Sequence, residues 1–144
     1  MGLDMYLKAK VYLSYNDEAR QKIARLIGHA EFEVTHVELE VGYWRKANAI
    51  HKWFVDHVQN GQDDCGQHFV ADRHLEELYN VCNQVLADPS KASELLPTQS
   101  GFFFGSTEYS DWYMDDIRDT LAIISRALEM RKDPGVEIHY HSSW

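Results

Sequence analysis

Apolar and polar residues alternate from Leu3 to Leu13, with Leu3, Met5, Leu7, Ala9 and Val11 in one phase and Asp4, Tyr6, Lys8, Lys10 and Tyr12 in the other. A period of two held this long predicts a half-buried strand. Asn16 then offers a helix cap with Asp17 and Glu18 behind it, and Ile23, Ala24, Leu26 and Ile27 form an apolar stripe ended by Gly28, so a helix is expected over about 17–27. Phe32 and Val34 alternate in one phase and Val37, Leu39 and Val41 in the other, which predicts a second strand with a β-bulge near Thr35 and His36. Tyr43, Ala47, Ile50, Phe54 and Val58 recur at three- and four-residue steps, predicting a helix over about 44–59. The Gly and Asx residues of 60–66 mark a loop.

Asp72 is the expected cap of a helix carrying Leu75, Leu78, Tyr79, Cys82, Val85 and Leu86, which Asp88-Pro89 ends. A turn or short helix is expected over Ser90 to Leu96. The glycine-bounded burst Phe102-Phe103-Phe104 predicts a short buried strand, after which Ser106 or Thr107 caps the longest helix, with Tyr109, Tyr113, Ile117, Leu121, Ile124 and Leu128 facing inward. Val136, Ile138 and Tyr140 alternate with Glu137, His139 and His141 in a last strand. The sum is a single α+β domain spanning 1–144, a mostly antiparallel sheet with amphipathic helices on one face.

Charge narrows the partners. Fourteen Lys plus Arg face twenty-three Asp plus Glu, a net charge of −9, and no short window is rich in cations. Duplex nucleic acid is a poor expectation, because phosphate affinity grows with the cations that neutralise it. No apolar run is long enough for a membrane span and the first residues carry no signal-peptide pattern, so a cytoplasmic protein is expected. Gly2 does not complete a myristoylation motif, because Tyr6 stands where Ser or Thr is required. Cys65 and Cys82 lack the spacing of a disulfide scaffold or a structural zinc site, so free thiols and no cofactor are expected.

Three segments are candidates for chemistry. Tyr43 to Phe54 is the densest mixture of aromatic, cationic and amide groups; on a helix, Trp44, Asn48 and His51 share one flank with Arg45 and Lys52 beside them. That flank would stack on a ring and neutralise an anion. Alternatively, Trp44 and Trp53 are core, His51 is a hydrogen-bonded boundary residue, and the cations pair with nearby carboxylates. The second segment is Gln99 to Thr107, where Ser106 and Thr107 at a helix start would donate to a phosphate, or would only cap the helix. The third is Glu137-x-His139-x-His141, whose residue types fit a metal if a further ligand such as Asp4 or His36 joins them; a wet strand face is the plainer explanation. Cys65 and His68 define no catalytic geometry, and the acids Asp115 and Asp116 read as a solvated helix face.

The blocks Gly2-Leu3-Asp4-Met5-Tyr6-Leu7, Tyr43 to Phe54, Asp64-Cys65-Gly66 and Leu96 to Thr107 resemble a family of small proteins carried by tailed bacteriophages and prophages. The resemblance implies a phage-borne accessory protein in the cytoplasm of a bacterial host, and carries no reaction or catalytic residues with it. Three functions follow as expectations. The leading one is a non-enzymatic binder that sequesters a small anionic ligand such as a nucleotide, using Trp44, Arg45, Asn48, His51, Lys52, Ser106 and Thr107. The alternative is a module that docks on a host protein or forms a homodimer through Tyr6, Tyr12, Tyr140 or Trp144. The third is a metal-dependent hydrolase using His139 and His141. The first requires that the segments around residues 45 and 106 meet in space.

Overall fold

The computed structural model describes residues 2–144. Its central element is strand β1 (Asp4–Tyr12), where the period-two pattern of the sequence buries Met5, Leu7 and Ala9 on one face. On one side β1 pairs antiparallel with β2 (His36–Arg45), on the other with β4 (Val136–Ser143), and β4 pairs with the short β3 (Gln67–Phe69). The sheet order is β2-β1-β4-β3, antiparallel throughout.

The β-bulge exists but sits further along the chain than expected. Leu7 faces Gly42 while Lys8 faces Glu40, which leaves Val41 as the extra residue. One inserted residue switches the side-chain parity of a strand. Val37 and Leu39 before the bulge and Trp44 after it therefore share the helix side, with Glu38, Glu40, Tyr43 and Arg45 on the open side. Phe32 and Val34 lie outside any strand.

Helices α2 (Asn48–His57), α3 (Asp72–Ala87) and α5 (Asp111–Met130) supply the core that covers one face of this sheet. Ile50 and Phe54 of α2, Leu75 and Leu78 of α3 and Ile117 and Ile124 of α5 are fully buried with Leu3, Leu7, Ile138 and Tyr140 of the sheet layer. Phe54 and Tyr140 stack with centroids 4.0 Å apart. A 3-10 turn (Pro89–Lys91) and the single turn α4 (Ala92–Leu95) follow α3. Helix α1 (Asp17–Leu26) is capped by Asn16 as expected and buries only Ala24.

Three boundaries differ from the sequence expectation. Tyr43 and Trp44 belong to β2, not to a helix, because Met5 and Trp44 pair across the sheet and the chain turns at Lys46 before α2 begins. Phe102 to Phe104 form a turn closed by Phe104 N–H donating to Gly101 O at 3.1 Å, with Phe102 exposed and only Phe104 buried. Helix α5 starts at Asp111 with Ser110 as its cap, so neither Ser106 nor Thr107 caps it. Ser106 instead closes a local turn, its Oγ accepting from Glu108 N–H at 3.1 Å.

Candidate functional site

The link from β2 to α2 is tied down by backbone and side-chain bonds. Arg45 ends the strand, and Lys46 takes a left-handed backbone, φ 59°, which is costly for a side chain with a Cβ. Its N–H donates to Leu3 O at 2.7 Å and its carbonyl accepts from Asn48 N–H at 2.9 Å. Helix α2 starts there with Ala47 as its cap residue, no side chain accepting from its first-turn N–H groups and no acid in its first turn.

Asn48 then fastens a distant loop over this start. Its Nδ2 donates to Phe104 O at 3.0 Å and to Ser106 O at 2.8 Å, and its Oδ1 accepts from Gln99 N–H at 3.0 Å. The amide is buried and every one of these bonds is internal, so Asn48 positions the loop and has no donor left for a ligand. The segments around residues 45 and 106 therefore meet, joined by Asn48.

Between them opens a cleft of about 280 Å³. Arg45, Lys46 and the first-turn residues Asn48, Ala49 and Ile50 line one wall, Thr98, Gly105 and Ser106 a second, and Ser110, Trp112, Tyr113 and Asp116 of α5 a third. The cap position of α5, Ser110, likewise makes no side-chain capping bond. Two helix starts thus face the same cleft as two cations, offset by Asp111 in the first turn of α5 and by Glu108 on the cleft wall. Arg45 lies 3.6 Å from Asp4, a loose ion pair, and Lys46 has no ion-pair partner among the described residues. A shallower groove continues past Arg45, Trp112 and Asp116 to Tyr43, Trp44, Asp115 and Asp119. Trp112, 82% exposed, stands at the junction of the two.

Asp116 is the electrostatic exception. Burial, then the nearby Asp119 and Asp115, push its carboxyl up to about 7, with no hydrogen bond to offset them. Its place on the cleft wall is set from behind: Thr120 Oγ1 accepts from Trp44 Nε1 at 2.9 Å and donates to Asp116 O at 2.6 Å.

Of the residues expected to bind a ligand, Arg45, Asn48 and Ser106 line this cleft and Trp44 lines the adjoining groove. Trp44 is core, so it does not stack on a ring. His51 is fully buried one turn into α2, its Nδ1 2.7 Å from Tyr140 Oη and its Nε2 3.0 Å from Asp63 Oδ1. Burial holds its pKa below the usual histidine range against the pull of Asp63. Lys52 is bound to Asp56 on another face, and Thr107 lies outside the cleft, its carbonyl accepting from Thr98.

The sequence pattern does not mark Lys46, Trp112 or Asp116 as cleft residues. Lys46 was hidden inside an apparent helix, and Asp116 in a run of acids that reads as a wet helix face. A larger hollow of about 620 Å³ lies beside α1; of its two cations, Arg20 is bound by Asp17 and Glu33, and Arg25 donates from Nε to Gln21 O, with the acids Asp17, Glu31 and Glu33 sharing the lining. His139 Nε2 contacts Glu137 at 3.1 Å, and among the described residues no three His, Cys, Asp or Glu groups are arranged to hold a metal. Tyr140, proposed as a docking anchor, is core. Both cysteines are free, and among the described residues no helix is long and apolar enough to cross a membrane. No family model, no curated protein and no solved structure matches the chain.

Proposed function

We propose that this chain is a non-enzymatic binder of a small phosphate- or carboxylate-bearing molecule, held in the cleft between the start of α2, the 98–108 loop and the start of α5. One observation carries the reading: the unpaired Lys46, the loosely paired Arg45 and the uncapped first turn of α2 converge on one concave site in a chain of net charge −9. Cations and backbone N–H groups held together in this way favour an anion.

The cleft is small for a complete nucleotide, because pockets for drug-sized ligands run from about 300 to 1,000 Å³. A nucleotide would place its phosphate among Arg45, Lys46 and Ser106 and lay its ring along the groove against Trp112 and Tyr43. The resemblance to phage-carried proteins supports sequestration in a bacterial host cell as the setting. Docking on a host protein or on a second copy is the alternative; Leu26, Ile27 and Phe32, all exposed beside α1, favour it.

The experiment is a thermal-shift screen against nucleotides, phosphorylated metabolites, pyrophosphate and inorganic phosphate. At a hundredfold excess over Kd, binding to the native state adds about 2.7 kcal/mol, several degrees of Tm for a chain this long. The shift is expected to vanish in Arg45→Ala and Lys46→Ala and to persist in Lys52→Ala and Thr107→Ala. Silence across the screen, or a shift indifferent to Arg45 and Lys46, rejects the reading.

A further inference from the structure

An anion in this cleft would share it with a carboxyl group. Asp116 lines both the cleft and the groove, as do Arg45 and Trp112. The groups around it are Tyr43, Arg45 and Lys46 from the β2 end, Glu108 from the loop, and Tyr113, Asp115, Arg118 and Asp119 from its own helix. No histidine lines either space. Partial burial and like charge push the Asp116 carboxyl up to about 7, as described above. A bound anion adds another negative charge and raises the cost of ionising it further. A neutral carboxyl, by contrast, offers an O–H to an anionic oxygen, a short charge-assisted hydrogen bond.

We propose that Asp116 is a ligand-binding residue that acts in its protonated form, donating a hydrogen bond to the anion held by Arg45 and Lys46, so that anion binding takes up one proton and weakens as pH rises. This rests on the anion reading of the cleft and adds to it a residue and a regulation. The Thr120 Oγ1–H bond is made to the Asp116 backbone carbonyl and does not involve the carboxyl.

Inorganic sulfate is the decisive probe, because its own charge is constant across the pH range in which Asp116 titrates. Calorimetry of sulfate and of inorganic phosphate, from pH 5.5 to 8.5 in buffers of different ionisation enthalpy, reads affinity and proton uptake together. Above pH 7 the sulfate Kd is expected to rise about tenfold per pH unit, with close to one proton taken up per anion. Asp116→Asn, which keeps a donor and removes the ionisation, is expected to hold the low-pH affinity and to bind sulfate equally at pH 8.5. In the wild-type protein the Asp116 carboxyl ¹³C titration is expected to move upward in saturating sulfate.

A pH dependence that survives in Asp116→Asn, or sulfate binding without proton uptake, overturns the proposal while leaving the anion site standing. Phosphate binding at pH 6 with no sulfate binding also overturns it, because Asp116 would then be accepting a proton from the ligand. Failure of both anions and of the whole screen removes the anion site itself.

Discussion

Lys46 combines a backbone cost with a chemical role. In the left-handed region a residue with a Cβ costs about 1 kcal/mol or more relative to glycine, and such residues cluster at binding sites. Its side chain also packs against Gly105, itself at φ 84° on the opposite wall of the cleft. Lys46→Gly is therefore expected to raise the stability of the free protein by about 1 kcal/mol in chemical denaturation and to lose the thermal shift with phosphate. Equal or lower stability would show that the side chain contributes more by packing than the turn costs. Asn48 and His51 show what single residues conceal. Both were chosen from the sequence as ligand contacts, and both have the right chemistry, yet their bonds are spent inside the protein on Phe104, Ser106 and Gln99 in one case and on Tyr140 and Asp63 in the other. Polarity is legible in a sequence; the identity of a long-range partner is not.

Among the elements, α5 and β2 bring the cleft's two sides together, and their contact leaves no room at Gly42. A Cβ built there would clash with Ile123 Cγ2, so α5 rests directly on the β2 backbone. Gly42→Ala is expected to destabilise the fold by about 1–3 kcal/mol through overpacking. Ile123→Ala in the same chain is expected to recover part of that loss, a coupling that a double-mutant cycle reads directly. Additive effects would show that the two residues do not meet. The strands β1 and β4 and the helices α3 and α5 were legible because their apolar periods run long enough to separate two from 3.6. The β2–α2 boundary was not, because Tyr43, Ala47, Ile50 and Phe54 fit a helical stripe even though the first of them lies in a strand. Short apolar runs are ambiguous in the same way: Phe102 to Phe104 is a turn, and the three-residue β3 exists because it pairs with β4.

For the molecule as a whole, the buried His51 and the half-buried Asp116 shape stability against pH in opposite directions. His51 is held neutral below its unfolded value of about 6.5, so the stability tied to its neutral form is present above that pH and lost as pH falls below it. Asp116 runs the other way. Its folded carboxyl sits at about 7 against 3.8 for the exposed group, so stability is lost as pH rises from about 4 through 7. Discounted for partial exposure, Asp116→Asn is expected to be more stable than the wild-type protein by about 2 kcal/mol at pH 8, with the gap narrowing toward pH 4. Urea denaturation across pH 4 to 8 checks this, and a constant gap would remove the titration from the account.

The sequence by itself determined the α+β class, the strand faces, most of the helices and the acidic surface, because each depends on periodicity and composition within one stretch of chain. It also pointed to the two segments that form the cleft, since Arg45, Asn48 and Ser106 are all on its walls. Only the tertiary structure decided which cations remain unpaired, that Trp44 is core while Trp112 stands at the rim, and that Asp116 is half-buried beside other acids. Those properties are set by which distant segments pack together: desolvation, ion pairing and hydrogen-bond satisfaction depend on neighbours in space, whereas periodicity depends only on neighbours in the chain.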